Sequence, residues 1–131
     1  MLDTNVVLDL LLAREPFATL AEKIFIKIES KEICGYLCPT SIATIYYLMS
    51  KHLDKNKRNE TIRVLLDLFE IVSIDKTTLE KSLKNCGSDF EDSIIYTSAK
   101  FGEIDCIITR DRSGFKKSTI KVLSPSEFLN E

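Results

Sequence analysis

Short apolar runs alternate with longer stretches of helical periodicity along the whole chain. The strand candidates are residues 1–2, 35–38, 70–74, 106–109 and 120–123. The helix candidates are residues 5–13, 16–29, 40–52, 56–69, 76–85 and 89–101, with a terminal helical turn from Ser124. Because whole helices separate the strands, we expect parallel pairing with right-handed crossovers. The pattern predicts an α/β fold, a three-layer sandwich with a parallel central sheet.

Residues typical of helix ends support these boundaries. Thr4 is a candidate N-cap for the first helix, and Pro16 suits the first turn of the second. Asp75 is placed to cap the helix of residues 76–85, and Gly102 to close that of residues 89–101. Residues 86–88, Cys-Gly-Ser, predict a break between those two helices.

The composition fits one soluble domain spanning residues 1–131. Apolar residues make up 44% of the 131 residues and charged residues 29%. The longest apolar run, residues 6–12, is interrupted by Asp9 and is too short to cross a bilayer. With no secretion signal at the start, we expect a cytoplasmic protein without a membrane partner. The four cysteines are then expected to be core or semi-buried thiols rather than disulfides or zinc ligands.

Acidic residues from distant parts of the chain fall where the strands of such a sheet end. Asp3 follows the first strand, and Asp111 follows the strand of residues 106–109 after one residue. Asp89 and Asp92 lie in the first turn of the helix before that strand, spaced to share one helical face. Because function gathers at the carboxyl ends of parallel strands, we expect Asp3, Asp92 and Asp111 to converge.

Converging carboxylates repel one another and are costly to bury, and a hard cation is the usual remedy. Mg²⁺ and Mn²⁺ prefer oxygen ligands, and either can activate water for phosphodiester hydrolysis. Each acid also has a structural explanation. Asp89 and Asp92 complement a helix dipole, and Asp111 suits the start of an Asp-Arg-Ser-Gly turn.

Three segments together resemble the motifs of the PIN-domain family. Residues 3–9 (Asp-Thr-Asn-Val-Val-Leu-Asp) are similar to its opening motif, residues 89–93 to its central acidic motif and residues 108–111 to its last motif. The ending, residues 121–129, resembles the close of the VapC-type branch. The resemblance covers essentially the whole chain. With only Met1 and Leu2 before Asp3, the first strand is expected to be unusually short or to begin upstream.

The resemblance implies an endoribonuclease dependent on Mg²⁺ or Mn²⁺, the toxin half of a toxin–antitoxin pair. Asp3, Asp92 and Asp111 would be catalytic and hold the metal. Asn5, Thr109 and Asp89 would support the site, the last as an outer acid. RNA is the implied substrate, an antitoxin the implied protein partner, and a homodimer the implied assembly.

One position departs from the family pattern. PIN domains commonly carry a further acid in the helix after the second strand, and Thr44 stands at that place. Asp9 and Glu22 are candidates to replace the missing carboxylate, whereas Glu91 is expected to point away from the metal. The alternative is a catalytically degenerate PIN-like protein that binds RNA or a partner without cleavage.

The net charge of −2 gives no overall signature of nucleic-acid binding, but one local cluster surrounds Asp111. Its candidate RNA-binding residues are Arg110, Arg112, Lys116 and Lys117. Other enzyme classes fit less well. A phosphatase of the haloacid dehalogenase class needs a second aspartate where Asn5 stands, and a dinucleotide-binding fold needs a glycine-rich first turn that is missing.

Overall fold

Apolar side chains alternate sides along the two central extended segments. In the computed structural model, which describes residues 1–87 and 89–131, Leu2 packs into one core and Met1 into another. Strand β3 (Cys106–Ile108) divides in the same way, with Ile108 in the first core and Ile107 in the second. Because successive strand residues point to opposite faces of a sheet, each face carries its own core.

The sheet is parallel throughout the described residues. Strands β1 (Tyr36–Leu37) and β2 (Glu70–Ile71) form one pair, and β3 and β4 (Lys121–Leu123) form the other. The N-terminal segment, residues 1–3, joins the two pairs. The Leu2 amide donates to the Tyr36 carbonyl at 3.0 Å, and the Asp3 amide donates to the Ile108 carbonyl at 2.9 Å. The spatial order is therefore β2, β1, the N-terminal segment, β3 and β4.

Helices cover both faces of this sheet. They are α1 (Thr4–Leu11), α2 (Phe17–Glu29), α3 (Pro39–Met49), α4 (Lys55–Leu68), α5 (Lys76–Lys84), α6 (Phe90–Phe101) and α7 (Pro125–Leu129), with a 3₁₀ helix, η1, at Arg112–Phe115. Residues of α1 to α4 fill the first core, and residues of α6 fill the second. The predicted three-layer α/β sandwich with a parallel sheet is confirmed. None of the described helices combines the length and apolar character needed to cross a membrane.

Several local predictions were wrong. Asp3, not Thr4, is the N-cap of α1, because its carboxylate accepts from the Thr4 amide. The strand expected at residues 70–74 is only two residues long. Gly102 does close α6, but its φ is −81°, and the left-handed residue is Glu103 with φ 53°. The predicted break at residues 86–88 includes Ser88, which lies outside the described residues.

The cysteines are free thiols. Cys38 is buried, Cys86 and Cys106 are half-buried, and Cys34 is exposed, so the expectation of burial was wrong for Cys34 alone.

The direction of the chain through the sheet sets the place of a site. From the N-terminal segment the chain goes first to β1 and β2 on one side, and later to β3 and β4 on the other. The N-terminal segment and β3 are therefore neighbours across the point where the strand order reverses. In open α/β sheets, ligands bind beyond the carboxyl ends of the strands at this point. Asp3 and Asp111 follow those two strand ends.

Candidate functional site

Asp3 lies at the junction of the sheet and the first helix. It is only 6% exposed, and both of its carboxylate oxygens accept hydrogen bonds. Oδ1 accepts from the Thr4 amide at 2.8 Å, and Oδ2 accepts from the Thr109 hydroxyl at 2.7 Å. Burial raises the pKa of Asp3 above its ordinary value, while the bonds from Thr109 and Thr4 act in the opposite direction. Its position is thus fixed from both α1 and the end of β3.

Thr109 links the two strand ends of the site. It is fully buried, and its amide donates to the Leu123 carbonyl at 2.9 Å, which anchors it to β4. Its hydroxyl oxygen also lies 3.1 Å from the amide nitrogen and 3.1 Å from the carbonyl oxygen of Asp111. One side chain therefore holds the carboxylate of Asp3 and the backbone of Asp111 in register.

Asp111 is exposed and caps η1. Its Oδ1 accepts from the Ser113 amide at 2.9 Å. The bonds from Ser113 lower the pKa of Asp111, and the positive charge of Lys116 acts in the same direction. Of the three predicted metal-holding acids, it is the one whose carboxylate is already stabilised as an anion.

Asp92 lies in the first turn of α6 and faces η1. The approach is close, because a Cβ added to Gly114 would lie 2.0 Å from Oδ2 of Asp92. The pKa of Asp92 is raised from 3.8 to about 7. Burial is the largest cause, and the charges of nearby acids act in the same direction, namely Asp3, Asp89, Glu91 and Asp111. The charges of Asp3 and Asp111 thus both act on Asp92, although burial is the larger cause of its raised pKa.

Glu91 belongs to the same cluster, so the expectation that it points away was wrong. Its Oε1 accepts from the Thr4 hydroxyl at 2.7 Å, and its Oε2 accepts from the Thr44 hydroxyl at 3.0 Å. The Ser41 hydroxyl lies 2.8 Å from that of Thr4. The carboxylate raises the pKa of both Asp3 and Asp92. It thus adds a negative charge beside the three predicted acids.

The geometry of α6 explains the error. Adjacent residues on a helix point about 100° apart, so Glu91 and Asp92 do face different neighbours. The first turn of α6, however, lies between α1 and α3 on one side and η1 on the other. Both directions therefore lead into the site. Thr44, in the place of an expected acid, was the signal that a carboxylate from elsewhere could fill the gap. Gly114 was expected only as part of a turn, and its contact with Asp92 was not predicted.

The remaining supporting candidates lie at the rim. Asn5 is exposed in the first turn of α1, and within the described residues its side chain has no hydrogen-bond partner. Asp89 is exposed and precedes α6 as its N-cap residue, although its side chain makes no capping hydrogen bond. Its charge nevertheless raises the pKa of Asp92. The structure therefore brings Asp89 near the cluster and leaves Asn5 turned to solvent.

Two of the four basic candidates are engaged in ion pairs. The Arg110 guanidinium donates to both carboxylate oxygens of Asp9, at 2.6 and 3.0 Å, and lies over the Phe17 ring at 4.1 Å. Asp9 is 1% exposed, so its carboxylate serves Arg110 and does not replace the missing acid of the site. Arg112 pairs with Glu127.

Lys116 and Lys117 differ from these arginines. Both are exposed, and neither forms a salt bridge with any described residue. Lys116 is close enough to lower the pKa of Asp111. Within the described residues, Lys116 and Lys117 are therefore the basic candidates near the acids that have no acidic partner.

The acid cluster fits a hard divalent cation in its donor chemistry. Asp3, Glu91, Asp92 and Asp111 offer carboxylate oxygens only, the ligands that Mg²⁺ and Mn²⁺ prefer. None of the salt bridges within the described residues involves these four carboxylates. Over residues 1–87 and 89–131, no three acidic, histidine or cysteine side chains are already grouped as metal ligands. Metal binding would therefore require the carboxylates to move together.

The fold and the site define a class of protein: a parallel α/β sheet with a carboxylate cluster at its switch point. A family model described as PIN domain matches residues 1–113. The chain belongs to the PIN-domain family. The resemblance of the three acidic motifs is thereby confirmed.

One protein of similar sequence is named as a ribonuclease. The chain is 34% identical over 93 residues to Ribonuclease VapC1 of Aquifex aeolicus (strain VF5). The match covers 66% of this chain and 62% of that protein. The chain therefore spans less than two thirds of the length of this relative.

Two solved structures share the fold. A toxin-antitoxin complex from Klebsiella pneumoniae contains a chain with a TM-score of 0.69 at 19% identity, covering 95% of both chains. VapBC2 from Rickettsia felis, bound to a DNA fragment from its promoter, gives a TM-score of 0.65 at 17% identity, covering 95% of this chain and 96% of that one. At these identities the likeness concerns the fold alone.

Proposed function

We propose that this protein is an endoribonuclease that hydrolyses RNA phosphodiester bonds with a bound divalent cation, Mg²⁺ or Mn²⁺. The observation that supports the proposal is the approach of acids from separate elements: Thr109 bonds both Asp3 and the backbone of Asp111, and Gly114 lies against Asp92. Burial, and after it the charges of the neighbouring acids, raise the pKa of Asp92 to about 7. A protein gains no stability from such a cluster, so we interpret it as a site built for a cation. The name of the relative, Ribonuclease VapC1, supports the choice of RNA.

Asp3, Asp92 and Asp111 would hold the cation, and Glu91 would add charge from the side of α3. When bound, such a cation lowers the pKa of a coordinated water and stabilises charge on a phosphoryl oxygen. Thr109 holds Asp3 by its hydroxyl at 2.7 Å and thereby keeps one carboxylate oxygen in a fixed orientation. Partners of this kind commonly change metal affinity or activity by about 10- to 100-fold when they are removed.

Gly114 and Glu91 would have different positioning roles. Gly114 lets the backbone of η1 lie against Asp92, so that Asp111 at the start of η1 and Asp92 on α6 can approach each other. Glu91 orients the hydroxyls of Thr4 and Thr44, which face it from α1 and α3. A PIN domain with Thr44 in the usual place of an acid would thus keep a fourth carboxylate.

The alternative is a PIN-like protein that binds RNA or a partner without cleaving. Thr44 favours this alternative, because it removes a carboxylate from the expected site. The contact between Thr44 and Glu91 favours the enzyme, because it returns a carboxylate to the same region at 3.0 Å. We therefore retain the ribonuclease as the main proposal.

We also propose an antitoxin as the protein partner. One structural neighbour is described as a toxin-antitoxin complex, and the other as VapBC2 bound to a DNA fragment from its promoter. By this proposal the chain is the toxin, acting as a single domain in the cytoplasm. The partner would have to cover or neutralise the acid cluster to suppress cleavage.

The test is a calorimetric titration of Mn²⁺ into the wild-type protein and Asp92→Asn, paired with a cleavage assay on a labelled RNA pool. Asp67→Asn is the control, because Asp67 is exposed on α4 far along the chain from the site motifs. We expect saturable binding and metal-dependent cleavage in the wild type and in Asp67→Asn, both lost in Asp92→Asn. Metal binding without cleavage by the wild type would support the non-catalytic alternative.

A further inference from the structure

A cleft with a volume of about 560 Å³ opens beside the acid cluster, between α5, α6 and the segment from η1 to Thr119. We call it the lysine cleft, after Lys81, Lys100, Lys116 and Lys117, which line it. Its volume lies within the range of about 300–1,000 Å³ that is typical of small-ligand sites. The cleft can therefore hold a group the size of a nucleotide.

The charge of the lysine cleft differs from that of the acid cluster. Among the described residues that line it, Asp89 is the only carboxylate, against the four lysines. None of these lysines forms a salt bridge within the described part of the chain. Arg110 and Arg112, by contrast, are paired with Asp9 and Glu127. The cleft thus concentrates uncompensated positive charge in a chain whose net charge is −2.

The lysine cleft adjoins the acid cluster at two points. Gly114 and Asp89 line the cleft, and Gly114 lies directly against the Asp92 side chain. Lys116 also lines it and influences the pKa of Asp111. A ligand in the cleft would therefore extend to the carboxylates that we propose to hold the cation.

The other lining groups suit the flat, partly polar surface of a nucleobase. Tyr96 is half-buried and Phe115 is buried, and Ser93 and Thr97 contribute buried hydroxyl-bearing side chains. The Tyr96 hydroxyl is bound to Thr119, so the ring is held in place. Aromatic surfaces beside basic side chains are typical of sites for unpaired nucleotides, which stack their bases and pair their phosphates with cations. The bases of a duplex are unavailable for such contacts.

We propose that the lysine cleft binds the stretch of single-stranded RNA next to the bond to be cleaved. The four lysines contact its phosphates, and the surface around Tyr96 receives a base. This inference rests on the proposed ribonuclease function and adds the surface that holds the RNA strand, the lysine cleft, and the direction in which the strand leaves the acid cluster.

Lysine variants test the cleft by binding, separately from cleavage. A fluorescently labelled 12-nucleotide single-stranded RNA is titrated with protein in chelator, at several salt concentrations. The variants are Lys81→Ala, Lys100→Ala and Lys116→Ala. Lys84→Ala is the matched control, because Lys84 is exposed on the same helix as Lys81 and does not line the cleft.

We expect each cleft variant to bind about three- to fivefold more weakly than Lys84→Ala near physiological salt. Each should also lower the slope of log affinity against log salt by about 0.7, the value for one lost phosphate contact on a single strand. A self-complementary duplex of the same length should bind with no such dependence on the cleft lysines. Equal affinities for the cleft variants and the control would overturn the proposal, as would lysine-dependent binding of the duplex alone.

The two proposals fail in different ways. If the wild type cleaves RNA with Mn²⁺ but the cleft variants bind and cut like Lys84→Ala, the ribonuclease proposal stands and the lysine cleft is wrong. If the wild type never cleaves but its RNA affinity falls in the cleft variants, the cleft proposal stands and the enzyme proposal is wrong. A protein that binds no single-stranded RNA overturns the cleft proposal.

Discussion

The Thr44 hydroxyl on α3 donates to the carboxylate of Glu91 on α6 at 3.0 Å. Glu91 thereby reaches the side chain at which the PIN-domain resemblance predicts an acid. The same carboxylate accepts from Thr4 at 2.7 Å, so it is held between α1 and α3. A threonine at position 44 is therefore compatible with a site of four acids. The fourth comes from a helix 47 positions further along the chain.

Removal of the Glu91 charge is predicted to weaken cation binding. Glu91→Gln keeps the shape and most hydrogen-bonding capacity of the side chain but removes its charge, so we expect Mn²⁺ affinity to fall by about tenfold or more. The measurement is calorimetric titration, with Glu22→Gln as the control. Glu22 is exposed on α2 and is the other glutamate that the sequence suggested as a replacement acid.

An exchange of the two side chains sharpens this prediction. Thr44→Glu combined with Glu91→Thr moves the carboxylate from α6 to α3 and should restore Mn²⁺ affinity relative to Glu91→Gln. If Glu22→Gln reduces affinity and Glu91→Gln does not, the assignment of Glu91 as the fourth acid is wrong.

The contribution of Asp92 to the stability of the metal-free protein is predicted to fall as pH rises from about 4 to 7. The pKa of Asp92 is 3.8 as its ordinary value and about 7 in the folded protein, mainly because of burial. Between these values the native state binds more protons than the unfolded state, so each rise in pH favours unfolding. The stabilising effect of protonated Asp92 is thus complete below pH 4 and lost above pH 7.

Asp92→Asn isolates this effect. The amide stays neutral, so the variant should be more stable than the wild type at pH 8 by roughly 1–2 kcal/mol, after allowance for solvent screening of the half-buried group. The difference should disappear near pH 4. Urea denaturation of both proteins in chelator at pH 4, 6 and 8 measures it. A wild-type advantage at pH 8 would contradict the repulsion described for the acid cluster.

Much of the fold is predictable from the sequence because its signals are local. Alternating apolar runs and amphipathic helices are determined within each element, and Asp3 and Asp111 are placed simply by following strands. Strand lengths were overestimated because the predicted run continues beyond the hydrogen-bonded part, which ends with the bond from the Val72 amide to the Leu37 carbonyl. Asp3 replaced Thr4 as the cap of α1 because either side chain can accept from the first amides of a helix.

The parts of the site that were not predicted depend on distant neighbours. The Glu91 side chain reaches the site only because α1 and α3 lie beside the first turn of α6. The charge of Arg110 is evident from the sequence, but its partner Asp9 is 101 positions away. Only the three-dimensional structure shows which basic side chains already have an acidic partner. The arginines do, whereas Lys116 and Lys117 form no salt bridge within the described residues.

A methyl group at Gly114 is predicted to displace Asp92. A Cβ at this position would lie 2.0 Å from Oδ2 and 2.8 Å from the Cβ of Asp92, so Gly114→Ala must move the carboxylate or η1. We expect a loss of stability of about 1–3 kcal/mol and a larger proportional loss of metal-dependent cleavage. Gly87→Ala is the control, because among the described residues no atom beyond its chain neighbours lies within 4 Å of a Cβ there. Unchanged metal affinity and cleavage in Gly114→Ala would show that the close approach has no part in the site.

Arg110 is predicted to stabilise the fold rather than to bind RNA. Its guanidinium pairs with the buried carboxylate of Asp9 and stacks on Phe17, so Arg110→Ala leaves a buried charge without its main partner. We expect the free energy of unfolding to fall by about 2–3 kcal/mol. The loss is smaller than for a fully buried ion pair, because the arginine side chain is 30% exposed. Urea denaturation measures this loss, with Arg63→Ala on the exposed face of α4 as the control.

The RNA affinity of Arg110→Ala separates structure from recognition. Because Arg110 is occupied by Asp9 while Lys116 is not paired within the described residues, the folded variant should bind the 12-nucleotide RNA with the salt slope of the wild type. Lys116→Ala should show the opposite combination, wild-type stability with a slope reduced by about 0.7. A reduced slope in Arg110→Ala without any loss of stability would return this arginine to the RNA-binding surface that the sequence suggested. Arg110 would then exchange its ion pair with Asp9 for a contact with RNA.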